Sequence, residues 1–283
     1  MMSAGLFPFQ PAMKRIWDHA RALAATDSGA HDSATSDAII VDEHSYHSPE
    51  WFASQASRFD AYPRCGAGVY FGEYSANGYF AGQPQTEQGA NTWKSALGEA
   101  AFLTGCERNS DVVRMTSYAP LLAHIPAKGW AQNLIEFNPA HVNPTVNYEV
   151  ERLFSTHLGD TTYAVSIKQT ASRPTKHLYV SATGHDGDDA CRYIKIVNTS
   201  DSPVDVTLEI ARGLAGLGTS LSRPVRLEVT TLSASPMAKT TIGYRGEASG
   251  AIVPERQAYT LPSPSSLLAM KIKPYSVTLV VSR

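Results

Sequence analysis

Cysteine is scarce in this chain, and basic runs and long apolar spans are missing from it. The three cysteines, Cys65, Cys106 and Cys191, are odd in number and show no CxxC spacing. That removes a disulfide framework and a cysteine zinc site from consideration and leaves reduced thiols. Lys and Arg total 24 against 26 Asp and Glu; with no basic run, the electrostatic footprint that a nucleic acid requires is absent. No stretch reaches the roughly 18 apolar residues of a membrane helix. The opening MMSAGLFPFQPAMKR has no apolar segment ahead of a small-residue cleavage site, so no export signal is visible. The expectation is a soluble protein bound to neither nucleic acid nor membrane, cytoplasmic, or secreted if the native N-terminus lies upstream. What the chain does have is 43% hydrophobic residues over 283 positions, enough for one large core or two ordinary ones, and two domains are expected.

The texture changes near position 160. Before it, helical and strand-like patterns alternate. Met13, Ile16, Trp17, Ala20 and Leu23 recur at the spacing of one helix face, and DSGAHDSATSD reads as a polar loop. AIIV is a short buried strand, and Ser48-Pro49-Glu50 starts a helix with a hydroxyl cap, a first-turn proline and an acid on the positive end of the dipole. GAGVYF, SALGEAAFLTG and DVVRMTSYAPLLA read as strand, crossover helix and strand, and a further helix is expected from about Tyr148 to His157. Strands separated by helices of this length imply a parallel sheet, because only crossovers return the chain in the same direction. After Gly159 the period becomes two. Val204, Val206, Leu208 and Ile210 alternate with polar residues, and CRYIKIVN, VRLEVTTL and YSVTLVVSR behave alike, which points to an antiparallel sandwich. GYRGEASGAIVPERQ reads as a loop-rich interruption. No repeat suggests a propeller or solenoid.

Ionisable groups stand at the ends of two of the buried strands, in AIIVDEHSYHSPEWF and GVYFGEYSANG. In parallel α/β folds the site lies at the carboxyl ends of the strands, where side chains leave the packed interior. Alternation puts Asp42, His44 and Tyr46 on one side of their strand and Glu43 and Ser45 on the other, and it puts Glu73 on the side of Val69 and Phe71. A carboxylate ending an apolar row needs a partner, which a phenol and an imidazole on the next strand can supply. Bland readings stand beside this one. Glu73 can cap a helix or pair with Arg64 or Arg108, and His44 can be a satisfied core or loop histidine. Asp42, His44 and His47 form a poorly spaced metal set. Ser75 and Ser117 lack a GxSxG elbow, no cysteine sits beside an evident base, and GAGVYFG does not lead from a strand into a helix as a dinucleotide loop must. Trp51 and Phe52 read as core. Asn198-Thr199-Ser200 matches a glycosylation acceptor, a pattern too short to establish secretion.

VDEHSYHSPEWF, VYFGEYSA, NTWKSALGEAAFLTGCERNSDVVRMTSYAPL and the closing KIKPYSVTLV, in that order, resemble the C-terminal part of the family 51 glycoside hydrolases, the α-L-arabinofuranosidases. The resemblance is close from about residue 36 to about 155 and looser to the end. It implies a (β/α)8 barrel carrying a β-sandwich: here about strands 5 to 8 of the barrel in residues 1–158 and a jelly-roll-like antiparallel sandwich in residues 159–283. It also implies a retaining glycosidase that works with two glutamates and no cofactor or metal. By motif, Glu73 takes the nucleophile's role, and His44 and Tyr46 take those of the substrate-binding histidine and tyrosine. The implied substrate is an arabinose-containing polysaccharide or oligosaccharide, and assembly into a homo-oligomer is in keeping with the family. In the family the acid/base glutamate follows an asparagine on the fourth strand, and no Asn-Glu pair occurs in this chain. The expectation is therefore a fragment lacking its acid/base, beginning near the end of the fifth strand around MMSAGLFP. The alternatives are a catalytically inactive remnant that binds carbohydrate, or an assembly module that pairs through an open barrel edge. Ser45 stands where many relatives have a second aromatic and Pro120 where some carry a substrate-binding glutamine, so neither role transfers.

Overall fold

The computed structural model describes residues 2–3, 10–27, 39–64, 67–76, 90–125, 127, 129–168, 176–185, 191–209, 224–262 and 267–282, with backbone alone at 2–3, 10–14 and 24–27. Cys65, Ile210, the side chain of Met13, most of MMSAGLFP and the polar loop beyond Asp27 lie outside the described residues.

The first half runs β1 (Met2–Ser3), α1 (Gln10–Asp27), β2 (Ile40–Tyr46), α2 (Pro49–Ser54), a 3-10 turn at Arg58–Ala61, β3 (Gly68–Ser75), α3 (Trp93–Arg108) and β4 (Val113–Tyr118). Its four strands pair in the order β1-β2-β3-β4, all parallel. Local chemistry sets the elements much as the sequence indicates. Ser48 Oγ accepts from the Trp51 amide at 3.2 Å, with Pro49 and Glu50 in the first turn of α2, which satisfies one of the helix's orphan donors. On α1, Ala20 is buried and Ile16 and Trp17 are half-buried against β2, whereas Leu23 is 41% exposed, so the apolar stripe is shorter than the periodicity implies. The reading of DVVRMTSYAPLLA as one strand is corrected. The Ala119 amide still donates to Tyr74, but Pro120 has no N–H to continue the ladder, and β5 (Leu122–His124) joins β6 (Ile135–Phe137) and β7 (Val142–Pro144) in a separate small sheet. α4 (Val146–Thr156) follows.

The second half comprises β8 (Thr161–Thr162), β9 (Leu178–Gly184), β10 (Arg192–Asn198), β11 (Val204–Leu208), β12 (Val225–Ser233), β13 (Thr241–Ile242), β14 (Ala248–Ser249), β15 (Glu255–Leu261), β16 (Leu268–Ile272) and β17 (Ser276–Ser282). A six-stranded antiparallel sheet, β15-β12-β17-β10-β9-β8, faces the β11-β16 pair. Ile194, Ile196, Leu227, Val229 and Val280 pack between them against Leu268 and Ile272, as period-2 patterning requires. The stretch GYRGEASGAIVPERQ is not wholly loop, since it holds β14 and the start of β15.

The two halves share a core through α3. Its residues from Ser95 to Glu107 are all buried, the state expected of a helix without a polar face. Phe102 meets Phe52, Phe59 and Phe71 on the parallel-sheet side, and the same cluster takes in Val197, Val277 and Leu279 of the antiparallel sheet. Gly98 permits the approach of α2, because a Cβ there would collide with the Pro49 backbone. Between the layers, buried Lys195 on β10 is paired with Glu107 of α3 and donates to the His157 carbonyl at 2.7 Å. Among the described residues, no helix is long and apolar enough to cross a membrane.

Candidate active site

Regular pleating in β2 sends alternate side chains to opposite faces. Glu43 points among the helices, where it accepts from Trp17 Nε1 at 2.8 Å, Arg58 Nη2 at 2.8 Å and Tyr62 OH at 3.2 Å. Three donors saturate this buried carboxylate, so the second acid of the Asp42-Glu43 pair ties α1 and the 3-10 turn to the sheet. Asp42, His44 and Tyr46 project from the other face. Asp42 Oδ2 lies 3.0 Å from His44 Nε2, and the Tyr46 ring packs against Trp130 with centroids 5.8 Å apart and planes tilted by 32°.

β3 departs from regular pleating at Gly72. Glu43 pairs with Phe71, but the next residue, His44, pairs with Glu73, leaving Gly72 as an extra residue. Such an insertion reverses the facing of everything beyond it. Val69, Phe71 and Tyr74 are therefore buried on the helix side, Phe71 lying 4.8 Å from Phe102 between centroids, while Tyr70 and Glu73 are half-buried on the opposite side. The expectation that Glu73 shares a face with Val69 and Phe71 is thus corrected. Glycine at the inserted position leaves room for the Asp42 side chain, since a Cβ at residue 72 would collide with Asp42 Oδ1 and displace it.

The bulge brings Glu73 to the residues that the motif spacing groups with it. Tyr46 OH donates to Glu73 Oε2 at 2.5 Å, and His44 Nδ1 faces the same oxygen at 3.6 Å, beyond hydrogen-bond reach. The Glu73 side chain keeps 38% of its surface exposed, against 12% for His44. Burial and then the hydrogen bond to Glu73 push the Tyr46 phenol far above its ordinary range, so it stays protonated and remains a donor. The bland partners of Glu73 are engaged elsewhere: Arg64 with Asp111 and Arg108 with Asp60. His47 leaves the Asp42–His44 pair and stacks on Trp51 at 3.9 Å, where burial, followed by the charge of Arg58, lowers its affinity for a proton. No grouping of three or more metal-binding side chains occurs among the described residues. Ser117 Oγ accepts from Tyr70 OH at 2.8 Å and donates to the Gly72 carbonyl, which bridges β3 and β4 at the bulge.

Sequence reasoning placed Asp42 on the right face without its role and missed two further participants. Asp42 orients His44, Trp130 covers Tyr46, and Glu99 of α3 accepts from the Ala76 amide at 2.8 Å, three residues beyond Glu73. Of the two missed, only Glu99 carries a signal in the sequence: an acid inside SALGEAAF, where apolar or small residues on every side announce burial.

Comparison with known proteins gives these residues a context. A family model described as the α-L-arabinofuranosidase C-terminal domain matches residues 69–276. An extracellular exo-α-L-arabinofuranosidase of Streptomyces chartreusis is 45% identical over 121 residues, 43% of this chain and 13% of that protein. A probable α-L-arabinofuranosidase A of Aspergillus oryzae is 31% identical over 220 residues, 76% of this chain and 32% of that protein. The chain thus spans about a third or less of the length of these relatives. Among solved structures, an arabinose-bound MgGH51 α-L-arabinofuranosidase matches with a TM-score of 0.71 at 26% identity, over 86% of this chain and 36% of that one. The Thermotoga maritima α-L-arabinofuranosidase in an arabinose complex has a TM-score of 0.61 at 13% identity over 86% of this chain and 52% of its own, a likeness of fold alone.

Proposed function

Because this chain belongs to the family 51 α-L-arabinofuranosidases, as their C-terminal portion, we propose that it carries the nucleophilic half of a retaining glycosidase, with Glu73 attacking terminal α-L-arabinofuranosyl groups of arabinose-containing polysaccharides or oligosaccharides. In this reading residues 1–158 are the second half of a (β/α)8 barrel and residues 159–283 its sandwich. The observation that carries the reading is the Tyr46–Glu73 hydrogen bond at the carboxyl ends of two adjacent parallel strands.

A Glu73 oxygen bonds to the anomeric carbon as the glycosidic C–O bond breaks, and the leaving oxygen takes its proton from a second carboxylic acid about 5 Å away. Water then attacks the glycosyl ester and restores the carboxylate. Tyr46 holds one Glu73 oxygen, which aligns the carboxylate. His44, anchored by Asp42, presents Nδ1 to the sugar pocket. The acid/base is absent from this sequence as an Asn-Glu pair, so it comes from the remainder of the barrel.

The test therefore uses a leaving group that needs no acid. With 2,4-dinitrophenyl 2-deoxy-2-fluoro-α-L-arabinofuranoside, Glu73 forms the C–O bond to the sugar and dinitrophenolate departs with its electron pair. The expected result is one fluoroglycosyl adduct on the peptide containing Glu73 and none in Glu73→Gln. An adduct elsewhere, or none on the unaltered chain, overturns the reading.

A further inference from the structure

Behind the site runs a closed circuit of contacts. From the end of β3, the Ala76 amide donates to Glu99 Oε1 at 2.8 Å, and Asn147 Nδ2 of α4 donates to Glu99 Oε2 at 2.6 Å. Asn91 Nδ2 donates to Asn147 Oδ1 at 3.2 Å, and Asn91 Oδ1 accepts from the Asn133 amide at 2.9 Å. Asn133 Nδ2 then donates to the carbonyl of Trp130 at 3.0 Å. A tilted ring contact, not a hydrogen bond, joins Trp130 to Tyr46, and Tyr46 returns to Glu73. Glu99 is fully buried, and it stands where a small apolar residue would complete the helix at no desolvation cost. Asn91 contributes to the same connection with a left-handed backbone, φ 50°, which asparagine tolerates better than most residues.

We propose that Glu99 is a positioning residue of the Glu73 site: by gripping the Ala76 amide and, through Asn147, Asn91 and Asn133, the Trp130 segment, it fixes the nucleophile and the phenol that orients it in one geometry. The proposal rests on the reading of Glu73 as nucleophile. It carries a pH signature of its own. The titratable groups around Glu99 are Glu151 of α4, Tyr74 of β3 and Tyr118 of β4. Burial first, and the Glu151 charge second, raise Glu99 to about 8, against the pull of the Asn147 and Ala76 hydrogen bonds. Both hydrogen bonds run from N–H donors to the Glu99 oxygens and favour the charged form, so ionisation above that pH tightens the grip on the strand end.

Three readouts on the full chain and its Glu99→Ala and Glu99→Gln variants test this: the fluoroarabinosylation rate of Glu73 against pH, hydrogen exchange at the Ala76 amide, and circular dichroism for folding. Glu99→Ala is expected to slow adduct formation and speed Ala76 exchange by about tenfold each, the scale of a lost buried hydrogen bond. Glu99→Gln, which keeps an acceptor for Ala76 but turns an N–H donor toward Asn147, should recover part of both and lose the rise in rate near pH 8. A folded Glu99→Ala variant with both quantities within about twofold of the parent overturns the proposal. If that variant does not fold, a Glu99→Gln variant retaining the alkaline rise overturns it. If the parent chain takes no adduct, the nucleophile reading fails, and exchange at Ala76 alone decides: unchanged protection in Glu99→Ala removes the grip.

Discussion

At the scale of single residues, the site turns on one phenol. Tyr46 is 3% exposed and packed under Trp130, while the Glu73 it donates to keeps 38% of its side-chain surface exposed; a hydrogen bond to a carboxylate contributes about 1.5–3 kcal/mol, toward the lower end where water reaches the acceptor. Tyr46→Phe keeps the ring packing and removes the donor. It is expected to slow glycosylation of Glu73 by about ten- to a hundredfold with little change in thermal stability, checked by following dinitrophenolate release. A rate equal to the parent's would assign Tyr46 to packing alone. His44 and Tyr46 were legible as a pair from their H-x-Y spacing, and Glu73 from its position at the end of an apolar run. Asp42 was legible only as an acid of the right strand and face; its role in turning the imidazole follows from the 3.0 Å contact.

At the scale of elements, β3 decides whether Glu73 reaches the site at all. Strict alternation sends residue 73 to the side occupied by Phe71, into the aromatic cluster around Phe102. The inserted residue at Gly72 redirects it, and a glycine inside a strand was the one mark of this in the sequence. Gly72→Ala forces either the Asp42 carboxylate or the strand to move. The expected loss of stability is about 1–3 kcal/mol by overpacking, measured by urea denaturation, together with slower labelling of Glu73 as His44 loses its anchor. A variant with parental stability and labelling would mean that neither the bulge nor the Asp42–His44 contact governs the site.

At the scale of the whole molecule, α3 is the shared layer, and one acid on it and one on α4 link fold stability to pH. Burial raises Glu99 to about 8 and Glu151 to about 7, from an ordinary 4.5. The folded state therefore binds these protons more tightly than the unfolded chain, and their contribution is fully present below about pH 4.5 and lost as pH rises to about 8. The melting temperature is expected to decline across that window, and the Glu99→Gln, Glu151→Gln double variant to flatten the decline; an equal slope in both proteins would refute it. The sequence by itself determined the period-3.6 and period-2 segments, the cap of α2, and which residue types end the strands, because these depend on neighbours a few positions apart. Only the tertiary structure decided that Glu73 crosses to the face of Tyr46, that Glu43 is consumed by Trp17, Arg58 and Tyr62, and that Glu99 joins Ala76 to Asn147. Those outcomes depend on strand register and on partners 15 to 48 positions apart, which local periodicity does not encode and packing of the layers around α3 does.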